Sequence, residues 1–165
     1  MPRIFQPARF PSGEIPQVQS MFYTTGQTFK KGAVLIYNAG GSGAVEEGGA
    51  DPTPIVGVAL EPAGSKPGFD AANSPTVFTG RVQEVSVAKA DAVTIWSGRG
   101  VNGATDPVIP LLTHINESYG LLKTAAGEWV IDFAETVNTR LMIIDIDVDN
   151  NIFFFKWLAA QLAQP

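Results

Sequence analysis

Short apolar runs, each closed by glycine, proline or aspartate, recur through the first part of this 165-residue chain. Runs of β-branched and aromatic residues between such turn residues are typical of strands, and a spacing of about 8–12 residues is typical of a sandwich or barrel. The segments that fit are Val18–Thr24, Ala33–Tyr37, Ile55–Leu60, Val77–Phe78, Val82–Val87 and Ala92–Trp96. The pattern predicts a β domain with little helix.

The last third of the chain differs, because residues 111–164 contain no proline. Proline cannot donate to a sheet ladder, so its absence suits central, paired strands. We expect such strands at Tyr119–Lys123, Trp129–Phe133, Arg140–Val148 and Ile152–Leu158. The best helical candidate, Lys156–Gln164, is short for a helix. The predicted fold class is therefore all-β, either a β-barrel or β-tulip-like domain or a sandwich.

The first 17 residues differ from the rest in composition. Prolines occupy positions 2, 7, 11 and 16, and such density favours extended backbone over helix. Disordered tails are poor in aromatics, whereas this segment is not. We predict an extended arm over residues 1–17, followed by a β-rich domain over residues 18–165; a frayed terminus is the alternative. The side chains expected to grip a neighbour are Arg3, Ile4, Phe5, Arg9 and Phe10.

Composition excludes several classes of function. The absence of cysteine excludes disulfide scaffolds, thiol catalysis and cysteine-ligated clusters, and the single histidine, His114, excludes a histidine-rich metal centre. No apolar run approaches the roughly 20 residues of a membrane-spanning helix. The net charge of −5 argues against a nucleic-acid partner. We expect no cofactor, no membrane and no nucleic acid.

The chain is also poor in charge overall. Charged residues make up 16% of it, against about 25% in an average soluble domain. Such a surface favours either an unusually loop-rich protein or one with part of its surface covered by a partner.

The glycines Gly98, Gly100 and Gly103 match the dinucleotide-binding spacing G-x-G-x-x-G. That site needs a helix directly after the glycines, to hold the pyrophosphate at its N-terminus. The residues that follow run to Pro107 and Pro110 and cannot be helical. We therefore predict a glycine-rich turn.

Asp145, Asp147 and Asp149 alternate with Ile144, Ile146 and Val148. A calcium loop with this D-x-D-x-D start would need glycine at position 6 and glutamate at position 12, where this chain has asparagine and lysine. Alternation instead predicts a half-buried strand with the aspartates in solvent, closed into a hairpin by Asn150 and Asn151. A weak cation site and a charged partner contact are the alternatives.

Candidate catalytic groups are few. His114 could pair with Ser118 or Asp106, but the chain lacks the strained G-x-S-x-G turn of a nucleophilic serine. The carboxylates Glu46 and Glu47 are adjacent, within a segment expected to be a glycine-rich loop. We expect a structural histidine and no enzyme activity.

Two segments carry a family resemblance. Gly26–Leu35 (GQTFKKGAVL) is followed, after a glycine-rich gap, by Asp51–Ala59 (DPTPIVGVA). Together they resemble the opening of small capsid decoration (cement) proteins of tailed bacteriophages. Ser118–Leu121, Trp129–Asp132 and Met142–Lys156 are similar to the closing strands of that family.

This resemblance implies a β-rich structural protein on the outer surface of a virion head. Its partners would be the major capsid protein and identical copies of itself, often as a trimer at a local three-fold axis. Phe153, Phe154 and Phe155 place aromatics on both faces of one strand. Such a strand is expected to be buried on both sides, so Phe153 and Phe155 join the predicted contacts with capsid or sister subunit.

The alternative function is a β-sandwich module that binds carbohydrate or a receptor on a virion or cell surface. That function predicts exposed aromatic platforms, with Trp96 or Trp129 among them.

Overall fold

The computed structural model describes residues 5–9, 17–64, 84–103 and 106–163. Within these ranges the chain is almost entirely β, as predicted, and its helical content is limited to 3-10 turns at Leu112–His114 and Ala159–Gln161. The strands are β1 (Gln6–Arg9), β2 (Val18–Phe22), β3 (Val34–Tyr37), β4 (Val45–Glu47), β5 (Ile55–Ala59), β6 (Glu84–Lys89), β7 (Ile95–Gly98), β8 (Gly100–Asn102), β9 (Asp106–Pro107), β10 (Ser118–Lys123), β11 (Trp129–Asp132), β12 (Leu141–Asp147) and β13 (Ile152–Trp157).

The larger sheet has the order β1-β7-β13-β12-β10-β11-β8-β9. Only Arg99 separates β7 from β8, and β8 pairs in parallel with β11, Ile131 lying opposite Gly100. The pairings from β7 through β13, β12, β10 and β11 therefore return to the same stretch of chain and close a circuit.

The smaller sheet has the order β2-β6-β5-β3-β4. An isolated parallel bridge joins Tyr23, just beyond β2, to Val45 in β4, and the Thr24 N–H donates to the Val45 carbonyl over 2.9 Å. This bridge links the two outer strands of the sheet at one end.

The two sheets pack in a sandwich-like arrangement around a shared core. The smaller sheet contributes Val34, Val58 and Val87, and the larger contributes Leu141 and Phe155. The C-terminal segment also joins them, because Leu162 bridges to Ile55 instead of forming the candidate helix.

Most predicted strands are present with boundaries shifted by a few residues. Val77–Phe78 lies outside the described residues. Four strands were not predicted, and each has a weak local signal: β1 contains a proline, β9 has only two residues, and β4 and β8 have three each.

The predicted hairpin between β12 and β13 is confirmed, with Asn151 in the left-handed region at φ 58°. The predicted alternation of side chains along β12 is wrong in one detail. A bulge between Ile143 and Asp145 turns both Ile143 and Ile146 toward the core, although they are three residues apart. Ile144 and Ile146 therefore do not share a face as simple alternation predicts.

Candidate functional site

Phe5, Phe153 and Phe155, predicted as partner contacts, are core residues of the folded chain. All three are buried, and the ring of Phe5 packs edge-on against Phe155 with centroids 5.4 Å apart. Trp157 completes the cluster, 6.2 Å from Phe5. Their contacts lie within the chain because β1 brings Phe5 over the end of β13.

Part of the predicted arm belongs to the β domain. Gln6–Arg9 forms β1 and pairs antiparallel with β7, Gln6 lying opposite Ser97. Arg9 ends this strand, and Arg3, Ile4 and Phe10 lie outside the described residues. Residues 6–9 of the predicted arm are thus bound to the sheet of their own chain, and residues 1–4 and 10–16 lie outside the described residues.

The glycine-rich segment has a packing role. Gly98 ends β7 and Gly100 begins β8, so these glycines lie in strands and not at the start of a helix. A Cβ atom would meet the Phe5 ring at Gly98 and the Phe133 ring at Gly100. The predicted turn is found only at Gly103, whose φ is 69°. The pattern serves close ring packing.

His114 is held in an aromatic cluster. Its ring lies 4.8 Å from Phe133 and 5.7 Å from Phe153, measured between centroids. Its Nδ1 accepts a hydrogen bond from the Leu111 N–H over 3.1 Å. Burial lowers the pKa of His114, since desolvation disfavours the charged imidazolium. The geometry is that of a side chain that fixes a loop.

Glu46 and Glu47, expected in a loop, belong to strand β4. Glu47 accepts hydrogen bonds from Lys123 Nζ at 2.6 Å and from Trp129 Nε1 at 2.9 Å, which ties the smaller sheet to β10 and β11. Sequence reasoning missed this role because the partners lie 76 and 82 residues away.

A cavity of about 430 Å³ lies beside this link, between residues 48–51 and strands β10 and β11. Two of its acidic side chains are engaged in the fold: Asp132 accepts from the Gly103 and Ala134 N–H groups, and Glu135 from those of Val137 and Asn138. These backbone N–H groups lower the pKa of Glu135. Among the described residues, no three acidic or histidine side chains are placed to hold a metal ion.

Two of the three alternating aspartates, Asp145 and Asp147, accept hydrogen bonds within the β12–β13 hairpin. Asp147 accepts hydrogen bonds from the backbone N–H and the side-chain amide of Asn150, at 3.0 and 2.9 Å. Asp145 accepts from the Ile146 N–H, and Asp149 is exposed. These contacts explain the aspartates as parts of the β12–β13 hairpin.

The tryptophans do not provide the platform that a carbohydrate-binding module needs. Trp96, Trp129 and Trp157 are all buried. A stacking surface for a sugar would require an exposed ring face. The structure therefore gives no support to that alternative at the residues named for it.

The most exposed apolar cluster of the described chain is a surface that sequence reasoning missed. Ile109, Leu111 and Leu112, here called the aliphatic loop, are 64%, 55% and 78% exposed. Pro110 between them is buried, the Val108 N–H donates to the Gly100 carbonyl, and His114 holds Leu111. The loop is thus fixed in place while its aliphatic side chains point into solvent. An apolar run ordinarily predicts a buried strand. The sequence of these residues therefore does not indicate that their side chains are exposed.

No helix among the described residues is long and apolar enough to span a membrane. Comparison of the chain with protein-family models, with curated proteins and with solved structures found no match.

Proposed function

We propose that this chain is a structural virion protein that binds the outside of a tailed-bacteriophage capsid and stabilises the shell. The observation that carries the proposal is the aliphatic loop, a fixed and exposed apolar surface on a chain in which only 16% of residues are charged. Exposed apolar clusters of this kind mark contact sites with other proteins. The partners would be the major capsid protein and further copies of this chain, with a trimer as the assembly implied by the resemblance.

The two segments that resemble the decoration proteins support the proposal by their position. They form neighbouring strands: Val34 of β3 lies opposite Val58 of β5, and Leu35 lies opposite Gly57. The Gly32 N–H donates to the Ala59 carbonyl over 2.8 Å. The resembling residues thus form one structural unit in the smaller sheet.

A fixed loop suits the work of a cement protein. Side chains that are already held in place lose little conformational entropy on binding, so weak contacts retain more of their free energy. Many such contacts add up over a repeating shell. Binding through a surface of this kind requires no single deep pocket.

The arm contributes to the proposal through residues other than Phe5. Arg3, Ile4, Arg9 and Phe10 remain the proposed contacts with a neighbouring subunit. Phe5 lies in the core, so deleting the whole arm would remove a core residue together with the proposed contacts. Replacing Arg3, Ile4 and Phe10 by alanine tests the arm without touching Phe5.

The test is binding of the purified protein to expanded heads of a phage that encodes it, measured as occupancy by cryo-electron microscopy and as the temperature at which heads rupture. We expect saturable binding and a higher rupture temperature. The double variant Ile109→Ser, Leu112→Ser should lose at least about tenfold in affinity, since two aliphatic side chains no longer leave water.

The matched control is Val137→Ser, which changes an isolated aliphatic residue that is 84% exposed, and it should bind as the wild type does. Failure of the wild-type protein to bind heads would refute the proposed function. Full binding by the double variant would remove the aliphatic loop from it, and full binding by the alanine variant would remove the arm.

A further inference from the structure

The larger sheet has a cavity of about 190 Å³ on the face that points away from the shared core. Arg99, one of its lining residues, lies between Gly98 and Gly100. A Cβ atom at either glycine would meet an aromatic ring on the core side, so the alternation of side chains turns Arg99 to the opposite face. Val130, one residue before the pair of Ile131 and Gly100, lies beside Arg99. Val130 lines the same cavity and is buried without belonging to the shared core.

Two polar atoms beside this cavity are buried without a hydrogen-bond partner. They are Arg99 Nε and Asn151 Oδ1, which bond neither to each other nor to any other described residue. The guanidinium can only donate and the amide oxygen can only accept. Thr24, Trp96 and Trp157 also carry a buried atom without a described partner, but they line neither this cavity nor the larger one. Unpaired buried polar groups are costly, so a missing acceptor and a missing donor at one cavity point to a group that supplies both.

The cavity also has one charge of each sign in its lining. Glu128 lines it together with Arg99. Glu128 lies two residues before Val130, so the alternation of side chains along the extended chain turns both to the same face. Neither Glu128 nor Arg99 forms an ion pair with a described residue. A carboxylate and a guanidinium that share a cavity without bonding to each other suit a ligand with two opposite charges.

The size and walls of the cavity limit the ligand further. Pockets for small organic ligands usually measure about 300–1,000 Å³, and this cavity is smaller. Val101, Val108 and Val130 supply aliphatic walls. The ligand that fits is therefore a small one, with a short aliphatic group beside its two charges.

We propose that this cavity binds a free α-amino acid with a small aliphatic side chain. The carboxylate accepts hydrogen bonds from Arg99, because a planar guanidinium matches the geometry of that group. The ammonium has three donors and donates to Asn151 Oδ1 and to Glu128. The terminal residue of a polypeptide carries only one of these two charges, so it would leave Arg99 or Glu128 unpaired. The inference is independent of the proposed capsid function.

Titration of the ¹⁵N-labelled full chain with L-valine up to about 50 mM, at fixed pH and ionic strength, tests this binding by NMR. We expect saturable shifts of the amide signals of Val101, Val130 and Asn151, with a Kd of about 1 mM. N-acetyl-L-valine and L-valinamide each lack one of the two charges, so each should bind at least about tenfold more weakly. These comparisons use the wild-type protein and do not depend on the folding of a variant.

Variants test the two charged side chains. Arg99→Gln removes the guanidinium and Glu128→Gln removes the carboxylate, and each should weaken the binding of L-valine by about tenfold. Circular dichroism checks that both variants are folded. The matched control is Lys31→Gln, which removes an exposed positive charge that does not line the cavity, and it should bind as the wild type does.

The absence of a saturable shift with L-valine would show that water alone occupies the cavity, and it would overturn the proposal. Three other results would do the same: an affinity for either analogue equal to that for L-valine, wild-type affinity in Arg99→Gln or Glu128→Gln, or loss of binding in Lys31→Gln.

Discussion

At the scale of single residues, side chains in this protein fix loops by bonding to backbone. Arg140 is buried, and its guanidinium donates to the carbonyl oxygens of Asp51 and Pro52 at 2.9 and 3.0 Å. His114 acts in the same way from the acceptor side, through Nδ1 and the Leu111 N–H. Buried backbone groups need such partners, because an unpaired one costs about 1–3 kcal/mol.

The histidine makes stability depend on pH. Burial holds the pKa of His114 below its ordinary value of 6.5, so on acidification the unfolded chain takes up the proton first. The free energy of unfolding should therefore fall as the pH drops through 6.5 toward the lower pKa of the folded state. Urea unfolding at a series of pH values between about 7.5 and about 5.5 measures this decline.

His114→Asn is the control, since its amide oxygen can accept from the Leu111 N–H without titrating. The variant should lose the part of the decline that belongs to the histidine. If the free energy of unfolding declined equally with falling pH in both proteins, protonation of His114 would not affect stability.

At the scale of the strands, β1 connects the predicted arm to the core. Phe5→Ala should lower the free energy of unfolding by about 3–5 kcal/mol, because it leaves a cavity beside Phe155 and Trp157. The control is Phe22→Ala in the exposed edge strand, which should change stability by about 0.5 kcal/mol or less. Urea denaturation measures both. Similar losses in the two variants would contradict the burial of Phe5.

The strands also show what the sequence could predict locally. The sequence predicts β5 and β13 nearly to the residue, since IVGVA and IFFFKW are β-prone and each follows turn residues. It does not predict β8, because Gly100–Asn102 has little β propensity of its own. Its strand form depends on pairing with β11: the N–H groups of Ile131 and of Phe133, which directly follows β11, donate to the carbonyls of Arg99 and Val101.

At the scale of the whole molecule, Glu47 joins the two sheets. Glu47→Ala should cost about 1–3 kcal/mol, because it leaves the buried Trp129 Nε1 without an acceptor. Glu47→Gln should lose less, since its amide oxygen still accepts from Trp129. The matched control is Glu46→Ala, whose carboxylate bonds to Asn38 within its own sheet. Thermal unfolding compares the three variants, and equal losses from Glu46→Ala and Glu47→Ala would contradict a special role for the link between sheets.

The candidate surfaces were the least predictable part of the protein. The sequence directed attention to Phe5, Phe153 and Phe155 because they are aromatic, and the fold buries them. It gave no reason to select the aliphatic loop. Exposure depends on which strands become neighbours, and those neighbours are distant in the chain.

The sequence by itself determined the all-β class, most of the strands and the Asn150–Asn151 hairpin, because periodicity and turn chemistry act over a few residues. The tertiary structure alone decided that β7 and β8 close the larger sheet, that Phe5 enters the core and that Ile109, Leu111 and Leu112 stay outside. These outcomes depend on long-range strand pairing, whose free energy comes from burial shared between distant segments and is not encoded in any short stretch of the chain.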